Sequence, residues 1–462
     1  MKIKKIILSL GLAFVIASTA MTAHAVNVVQ IPSSEIDSVY NQKVQSNGIE
    51  KWAKGPQIYS ESGVVMDADT GEVLYAKNMD APHYPASITK VLTGLVAIEN
   101  SELTDTVTIK YEDISFIKKG DNHIGLKVDE EISMKDALYG TLLASGNEAA
   151  HAVASNTGDG YDAFIALMNE RAKELGCKNS NFVNTHGLHD DNHYTSAYDM
   201  ALIGSAAIRN EEFRKITGTK LYTIPTTNIT DETRAFENHH KMLFDWRSQY
   251  YEYCIGGKTG YTDKALNTLV TFAEKDGITL VAVVMRTHGS GNSYVDTKAM
   301  LDYAFGSFEK VSITKEMVDI QGLDALADGA HVLLPEGISY EDLQFAITMP
   351  KAVGEITGSI TYTYEDMPMG TIGFTITKEY HDDMHGVEEQ KEVTPGKEKT
   401  PAIIIIVRII LILFLLGAGF FLFLLCYASY KRRQKRKKRA EMRRQRRQQE
   451  YQRYLNEMED DE

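Results

Sequence analysis

Cysteine is scarce in this chain, with three residues among 462. Cys426 falls in an apolar run near the carboxyl end, which leaves Cys177 and Cys254 for the rest of the chain. A small disulfide scaffold needs several cysteine pairs, so that class of protein is excluded. One disulfide between Cys177 and Cys254 stays open, but nothing in the sequence brings the two together, and free thiols are our prediction.

Positive charge is also scarce until the end of the chain. The formal net charge is −14, and residues 431–462 contain 13 basic and 7 acidic residues, so the chain before them sums to −20. Because a strongly acidic surface repels a phosphate backbone, we do not expect this larger part to bind nucleic acid.

A recognisable metal motif is missing as well. Three histidines and two aspartates lie within His186–His193. The segment is rich in turn residues, so its histidines do not form the pair on one helix, four residues apart, that is typical of zinc sites. We therefore predict a hydrogen-bonded connecting loop here, and neither a metal nor another cofactor.

Two long apolar runs are present, one near each end of the chain. Three lysines precede the first run, which ends near Ala20 and is followed by Ala23-His24-Ala25. This pattern predicts a secretory signal over residues 1–25, since the run is shorter than the roughly 20 residues that a membrane anchor needs. Residues 26–60 then read as an irregular lead-in with one short helix.

The second run, Ile409–Tyr427, is long enough to cross a bilayer, and Ala402–Val407 extends it. A dense cluster of lysine and arginine follows within Lys431–Arg439. The length of this run predicts a single transmembrane helix over 402–430 in the cell membrane. Its orientation follows from the basic cluster, since basic residues mark the cytoplasmic side. The larger part would then be extracytoplasmic, and the tail 431–462 would be cytoplasmic beside anionic lipids.

Between these runs, the chain contains both helix and strand patterns. Hairpins are predicted around the turns 68–71 and 275–277, and amphipathic helices near 133–143, 161–175 and 298–307. We place one domain at 61–310. Short strands after it predict a small all-β domain at 311–378, and the charged segment 379–401 reads as a linker.

The stretch Pro85-Ala-Ser-Ile-Thr-Lys90 opens an apolar helix. Pro85 fits a helix start, and Ser87 and Lys90 are three residues apart and so share a face. A serine hydroxyl becomes a nucleophile when a neighbouring base takes its proton. A lysine can do this if burial or a nearby positive charge lowers its pKa.

The tetrad Ser-x-x-Lys recurs three times and by itself proves little, since it also begins at Ser115, Ser307 and Ser312. What distinguishes Ser87 is that Ser145-Gly146-Asn147 and Lys258-Thr259-Gly260 follow it in that order. Ser307 and Ser312 come after both motifs, and Ser115 lies in a predicted loop. A second Ser-Gly-Asn at 290–292 comes after Lys258, in the wrong order.

The three motifs together carry the groups for acyl transfer from the carboxyl end of a peptide. Ser145 can relay a proton, and Asn147 has a donor and an acceptor for a peptide bond. Lys258 and Thr259 offer a positive charge and a hydroxyl to a free carboxylate. Gly260 lets a substrate approach the strand edge closely.

The segment from about Ser60 to Phe308 resembles the low-molecular-mass penicillin-binding proteins, which are serine D-alanyl-D-alanine carboxypeptidases. The stretches that carry this resemblance are Asp67-Ala-Asp-Thr-Gly71, Pro85–Lys90, Ser145–Asn147, Asn184-Thr-His-Gly-Leu188 and Lys258-Thr-Gly-Tyr-Thr262. The resemblance implies an α/β (α+β) fold, a transpeptidase-like domain with a five-stranded antiparallel sheet between helical layers. It also implies a penicillin-inhibited enzyme that removes the terminal D-alanine from peptidoglycan stem pentapeptides in cell-wall biogenesis.

Carried over by this resemblance, Ser87 would form the acyl-enzyme, Lys90 would act as base and Ser145 would shuttle the proton. Asn147 would hold the peptide, and Lys258 with Thr259 would bind the terminal carboxylate. The backbone amides of Ser87 and Tyr261 would form the oxyanion hole beside Gly260. Family members often end in an amphipathic helix, so the full membrane span predicted here is a departure.

Two other readings use the same motifs. A class A β-lactamase needs a Glu-x-x-Leu-Asn segment, and none occurs between Asn147 and Lys258. A membrane-bound β-lactam sensor would need a cytoplasmic signalling domain, and the predicted tail is too short for one. Turnover of a peptide ending in D-Ala-D-Ala separates the enzyme from the sensor.

Overall fold

The computed structural model describes residues 33–385, except 290, 353 and 366. Its helices are α1 Ser33–Tyr40, α2 Lys90–Asn100, α3 Tyr111–Ile114, α4 Met134–Leu142, α5 Asn147–Asn156, α6 Tyr161–Glu174, α7 Ala197–Arg209, α8 Glu211–Gly218, α9 Asn292–Ser307 and α10 Lys378–His385. Its first strands are β1 Ser60–Asp67, β2 Val73–Lys77, β3 Thr106–Thr108, β4 Glu131–Ser133, β5 Leu221–Ile224, β6 Arg234–Glu237, β7 Cys254–Thr262, β8 Leu266–Lys275 and β9 Ile278–Thr287. The strands that follow α9 are β10 Phe308–Ser312, β11 Leu323–Leu326, β12 His331–Pro335, β13 Gln344–Thr348, β14 Thr357–Tyr364 and β15 Met367–Ile376.

A five-stranded sheet in the order β2-β1-β9-β8-β7 is the centre of the fold, and every neighbouring pair is antiparallel. Both predicted hairpins are present, as β1–β2 and β8–β9. The second turns on Asp276 and Gly277, whose φ angles of 51° and 72° suit a two-residue hairpin loop. The α/β fold with an antiparallel sheet, predicted from the resemblance, is confirmed for this region.

Helices cover both faces of the sheet. Strand β9 shows this best, because every residue from Leu280 to Met285 is buried. On one face, Gly204 of α7 brings its helix against β9, and a Cβ there would lie 2.8 Å from Val281. On the other face, Met300 of α9 lies against Gly63, which pairs with Val284. The order of strands makes β7 an edge strand. The helices packed on both faces hold the sheet to which it belongs in place.

A second set of strands follows α9. Strands β10 and β12 pair, and β11-β15-β14-β13 form a four-stranded antiparallel sheet. Buried contacts join this part to the first turn of the central sheet, because His331 Nε2 lies 3.2 Å from Asp67 Oδ2 and the Leu333 amide donates to Glu72 at 2.7 Å. The two parts are therefore coupled through the β1–β2 turn.

Within the described residues, no helix is long and apolar enough to cross a bilayer. The predicted signal at 1–25, the predicted span at 402–430 and the basic tail at 431–462 lie outside these residues. Cys177 and Cys254 are described, and both are free thiols.

Candidate active site

Ser87 lies in a tight turn at the start of the first buried helix. We predicted one helix from Pro85 onward, but the structure has a 3₁₀ turn at Ala86–Thr89 that continues into α2 at Lys90. Because a 3₁₀ turn has three residues per turn, it stacks residues i and i+3 directly above one another. It therefore brings the Lys90 side chain to Ser87, which is partly exposed in a cavity of about 790 Å³.

The Lys90 ammonium is fully buried and has three acceptors. Its Nζ lies 3.1 Å from Ser87 Oγ, 2.7 Å from Asn147 Oδ1 and 2.8 Å from the His186 carbonyl oxygen. The protonated amine can donate to all three acceptors, and the neutral amine to two of them, which leaves its lone pair for the Ser87 hydroxyl. The amine is thus held in one position, within reach of the Ser87 proton.

The electrostatic setting of Lys90 favours its neutral form. Burial lowers the pKa of Lys90 well below its usual value, and the positive charge of Lys258 lowers it further. Glu148 and Asp121 act in the opposite direction. A neutral amine beside a serine hydroxyl can accept its proton, which is the requirement for a general base.

The turn itself is braced by the loop that we predicted to be a hydrogen-bonded connector. Thr89 Oγ1 donates to the Ala86 carbonyl at 2.8 Å and lies 2.8 Å from His193 Nε2. His193 Nδ1 in turn accepts from the Val183 amide. Burial lowers the pKa of His193 to about 4, so its ring is neutral at pH 7. Among the described residues, no group of three or more His, Cys, Asp or Glu is arranged to hold a metal ion.

The Ser145-Gly146-Asn147 motif lies between α4 and α5 and faces Lys90 with only one of its side chains. Asn147 Oδ1 accepts from Lys90, and Asn147 Nδ2 is the donor of the same side chain. Ser145 has a φ of 61°, and its buried hydroxyl has no hydrogen-bond partner within the described residues. The predicted proton relay through Ser145 therefore has no preformed bond to Lys90.

Glu148 was not predicted as a site residue. Its buried side chain accepts from the amides of Ile124 and Gly125 at 2.6 and 3.0 Å. The loop that it holds continues from Asp121 and Asn122, which line the cavity. The only signal in the sequence was a carboxylate directly after the motif.

The His186 carbonyl was missed because a backbone acceptor has no residue type that a sequence pattern can reveal. Its segment, Asn184–Leu188, contributed to the resemblance without a role. Asn184 explains the local geometry, since its Oδ1 accepts from the Gly187 amide at 2.7 Å. This contact folds the segment into a turn, whose His186 carbonyl reaches Lys90.

Strand β7 forms the opposite wall of the cavity. Gly260 lies against Ser87, and a Cβ there would be 2.9 Å from the Ser87 amide nitrogen. Lys258 is 2% exposed and donates to the Thr259 carbonyl at 3.0 Å. Burial lowers the pKa of Lys258 to about 7, so the free protein contains both its charged and its neutral form near neutral pH. Tyr261 is 54% exposed at the rim.

The tertiary structure thus brings all eight predicted site residues to one place. Six of them line the cavity, namely Ser87, Ser145, Asn147, Thr259, Gly260 and Tyr261, whereas Lys90 and Lys258 are buried behind its wall. The serines of the other tetrads do not line it. Ser115 follows the short helix α3, and Ser307 and Ser312 lie at the end of α9 and in β10.

The family model of the D-alanyl-D-alanine carboxypeptidases, peptidase family S11, matches residues 49–289. The chain belongs to this family. It is 34% identical over 255 residues to the carboxypeptidase DacF of Bacillus subtilis, a match that covers 54% of this chain and 63% of that protein. It is 30% identical over 332 residues to DacA of Haemophilus influenzae, covering 66% of this chain and 81% of the relative.

Solved structures show the same fold. The Streptomyces K15 DD-transpeptidase has a TM-score of 0.51 at 28% identity, and the match covers 55% of this chain and 99% of that one. A D-alanyl-D-alanine carboxypeptidase from Mycobacterium tuberculosis has a TM-score of 0.50 at 32% identity, covering 57% and 96%. The family predicted from the motifs is therefore confirmed.

Proposed function

We propose that this protein is a serine carboxypeptidase that removes the terminal D-alanine from peptidoglycan stem pentapeptides. The observation that carries the proposal is the contact between the buried amine of Lys90 and the Ser87 hydroxyl at 3.1 Å. This pair opens into a cavity large enough for a peptide, and its wall contains the groups that a carboxyl-terminal peptide needs.

In the acylation step, the Ser87 Oγ attacks the carbonyl carbon of the fourth stem residue, and neutral Lys90 takes the proton of this hydroxyl. The oxyanion accepts hydrogen bonds from the amides of Ser87 and Tyr261. The proton passes to the leaving nitrogen, with Ser145 as relay once substrate fills the space beside it. The C–N bond breaks, D-alanine leaves, and the acyl group remains on Ser87 as an ester.

In the second step, water attacks this ester while Lys90 takes a proton from the water. The C–O bond to Ser87 breaks, and the serine recovers its proton. A β-lactam acylates Ser87 by the same attack, but its leaving nitrogen stays tethered to the acyl group. The tether blocks the approach of water, and the resulting ester persists, which explains inhibition by penicillin.

Recognition of the free carboxylate is assigned to Lys258 and Thr259. Thr259 lines the cavity, and the buried Lys258 amine makes one hydrogen bond within the described part of the chain, to the Thr259 carbonyl. An arriving carboxylate favours the charged form of Lys258 and supplies it with a partner. This pairing selects a peptide whose last residue has a free carboxylate.

The location of the enzyme follows from the sequence at its two ends. The signal pattern at 1–25 and the apolar run at 402–430 support export and anchoring by a single carboxyl-terminal span. The basic cluster at 431–439 supports a cytoplasmic tail that contacts anionic lipids. The catalytic domain then lies on the side of the membrane where peptidoglycan is built.

Mass spectrometry of the full-length protein with a pentapeptide ending in D-Ala-D-Ala tests the proposal. We expect release of one D-alanine and a transient mass increase on Ser87. Ser87→Ala should abolish both this turnover and covalent labelling by penicillin, whereas Ser312→Ala, in the repeated tetrad, should do neither. A label on Ser312 or Ser115, or no release of D-alanine by the wild type, would overturn the assignment.

A further inference from the structure

A second cavity, of about 490 Å³, continues the walls of the active-site cavity. Both cavities use the same two segments in order. Gly187 and Leu188 line the active site while Asp191 and Tyr194 line the second cavity, and Thr262 and Asp263 are followed in the same way by Lys264 and Ala265. Tyr84, on a third side, is only three residues before Ser87, at most about 11 Å along the chain.

The direction of a bound substrate leads to this second cavity. The free carboxylate is held near Lys258 and Thr259, and the reacting carbonyl lies between Ser87 and Gly260. The rest of the peptide must then extend along β7 toward Lys264, away from Lys258. Four stem residues separate the reacting carbonyl from the sugar, about 13 Å at 3.3 Å per residue. The four residues from Gly260 to Lys264 span at most the same distance, about 13 Å.

The lining of the second cavity is aromatic and polar, with balanced charge. Tyr84 packs edge-on against His189 at 4.6 Å between ring centres, and Tyr194 is 36% exposed. The ionic groups are two carboxylates and two cations, Glu61 and Asp191 against Lys264 and Arg286. Burial lowers the pKa of His83, so this fifth group is neutral.

This chemistry favours an uncharged polyhydroxylated ring over an anion. A phosphate or carboxylate would require an excess of cations, and Arg286 already binds Glu61 at 2.7 Å. A sugar ring has an apolar C–H face that can pack on a tyrosine ring, and a rim of hydroxyls for the polar groups around it. Both features are present in one cavity.

We infer that this second cavity binds the sugar that carries the stem peptide, with Tyr194 and Tyr84 against its apolar face. The inference rests on the proposed function, because it assumes that the stem peptide occupies the first cavity. It makes glycan-linked peptide, rather than free peptide, the preferred substrate. Tyr194 is then a residue that determines specificity and takes no part in the chemical step.

The test compares two substrates with the full-length enzyme in detergent, a free pentapeptide and the same pentapeptide on its disaccharide. The measured quantity is the ratio of their kcat/KM values. We expect the wild type to favour the disaccharide-linked substrate by about threefold to tenfold, most of it from packing of the sugar on the Tyr194 ring. Tyr194→Ala should bring this ratio to about one. Tyr194→Phe, which keeps the ring, should retain it.

Tyr250→Ala is the matched control, since Tyr250 is 42% exposed and lies outside both cavities. It should keep the wild-type ratio. An experiment without any variant guards against misfolding: the peptide-free disaccharide should inhibit cleavage of the disaccharide-linked substrate by the wild type. An unchanged ratio in Tyr194→Ala, or a wild-type ratio of one, overturns the inference and leaves the proposed function intact. Failure to cleave either substrate overturns the proposed function instead.

Discussion

Gly187 lies so close to Ala86 that a Cβ atom on Gly187 would be 1.8 Å from the Ala86 carbonyl oxygen. The contact joins the turn that carries Ser87 to the segment whose His186 carbonyl holds Lys90. Both residues are in the left-handed region, with φ of 83° at Gly187 and 51° at Ala86. Ser87 and the carbonyl that holds Lys90 therefore share one tightly packed support.

Gly187→Ala should reduce kcat/KM by about 100-fold, since displacement of a catalytic group by roughly 1 Å costs about that much. Gly71→Ala is the control, because Gly71 has a similar φ of 78° but open space around it. Backbone strain should cost each variant about 1–2 kcal/mol of stability. Gly187→Ala should lose more than this, because its Cβ also clashes with the Ala86 carbonyl. Equal loss of activity in the two would show that strain, and not the contact with Ala86, is responsible.

The pH dependence should reveal the charge state of Lys258. Burial lowers the pKa of Lys258 to about 7, and the carboxylate is bound only by its protonated form. As pH rises through about 7, the free enzyme loses this charge, and kcat/KM for a free-acid peptide should fall. In Lys258→Arg the guanidinium stays charged. The fall near pH 7 should then disappear, whatever the absolute rate.

A peptide amide lacks the carboxylate, so its cleavage by the wild type, although poor, should show no such fall near pH 7. The same alkaline fall in wild type and Lys258→Arg would mean that another group is titrating.

Lys258→Ala should lose most activity toward the free acid, because a charge-assisted contact is worth about 1.5–3 kcal/mol. The amide should be cleaved no worse by this variant than by the wild type.

The buried pair Asp67–His331 should contribute to stability across the two parts of the fold. Burial alone would raise the pKa of Asp67 and lower that of His331, but their mutual hydrogen bond reverses both directions. The Asp67 contribution is lost as pH falls through its lowered pKa, and the His331 contribution as pH rises through its raised pKa. The pair is therefore strongest between about pH 4 and 6.5.

His331→Gln should lower the free energy of unfolding by about 3 kcal/mol at pH 5.5, as for other buried pairs that lose one partner. Urea denaturation of the full-length protein in detergent measures this loss, which should shrink above pH 7. His123→Gln, at an exposed histidine, should have no effect. A deficit for His331→Gln that stays constant from pH 5 to 8 would show that packing, and not charge, is lost.

The sequence of the carboxyl end predicts that a protease outside the cell cannot reach the tail. Protease added outside intact cells should degrade the catalytic domain and spare residues 431–462, because the Lys431–Arg439 cluster retains the tail in the cytoplasm. An antibody against the last residues should detect a protected fragment until the membrane is opened. Removal of the tail from outside, with a sheltered catalytic domain, would invert this topology.

The ordered motifs determined much of the site. Each motif supplies its chemistry through residue type and short spacing, which is why Ser87, Lys90 and Lys258 could be assigned from the sequence. The hairpins at 68–71 and 275–277 were also predictable, since turn residues and alternating apolar residues act locally.

The remaining features depended on contacts between distant segments. Three hydrogen bonds join segments from 24 to 104 residues apart. They link Lys90 to the His186 carbonyl, the Ile124 amide to Glu148, and Thr89 to His193. Backbone groups and shared hydrogen bonds carry no signature in residue order, so only the tertiary structure could show them. The lowered pKa of Lys258 has the same origin, because burial is a property of the folded chain. The sequence by itself indicated the side chains to which we assign the chemistry, and the fold decided how they are held and charged.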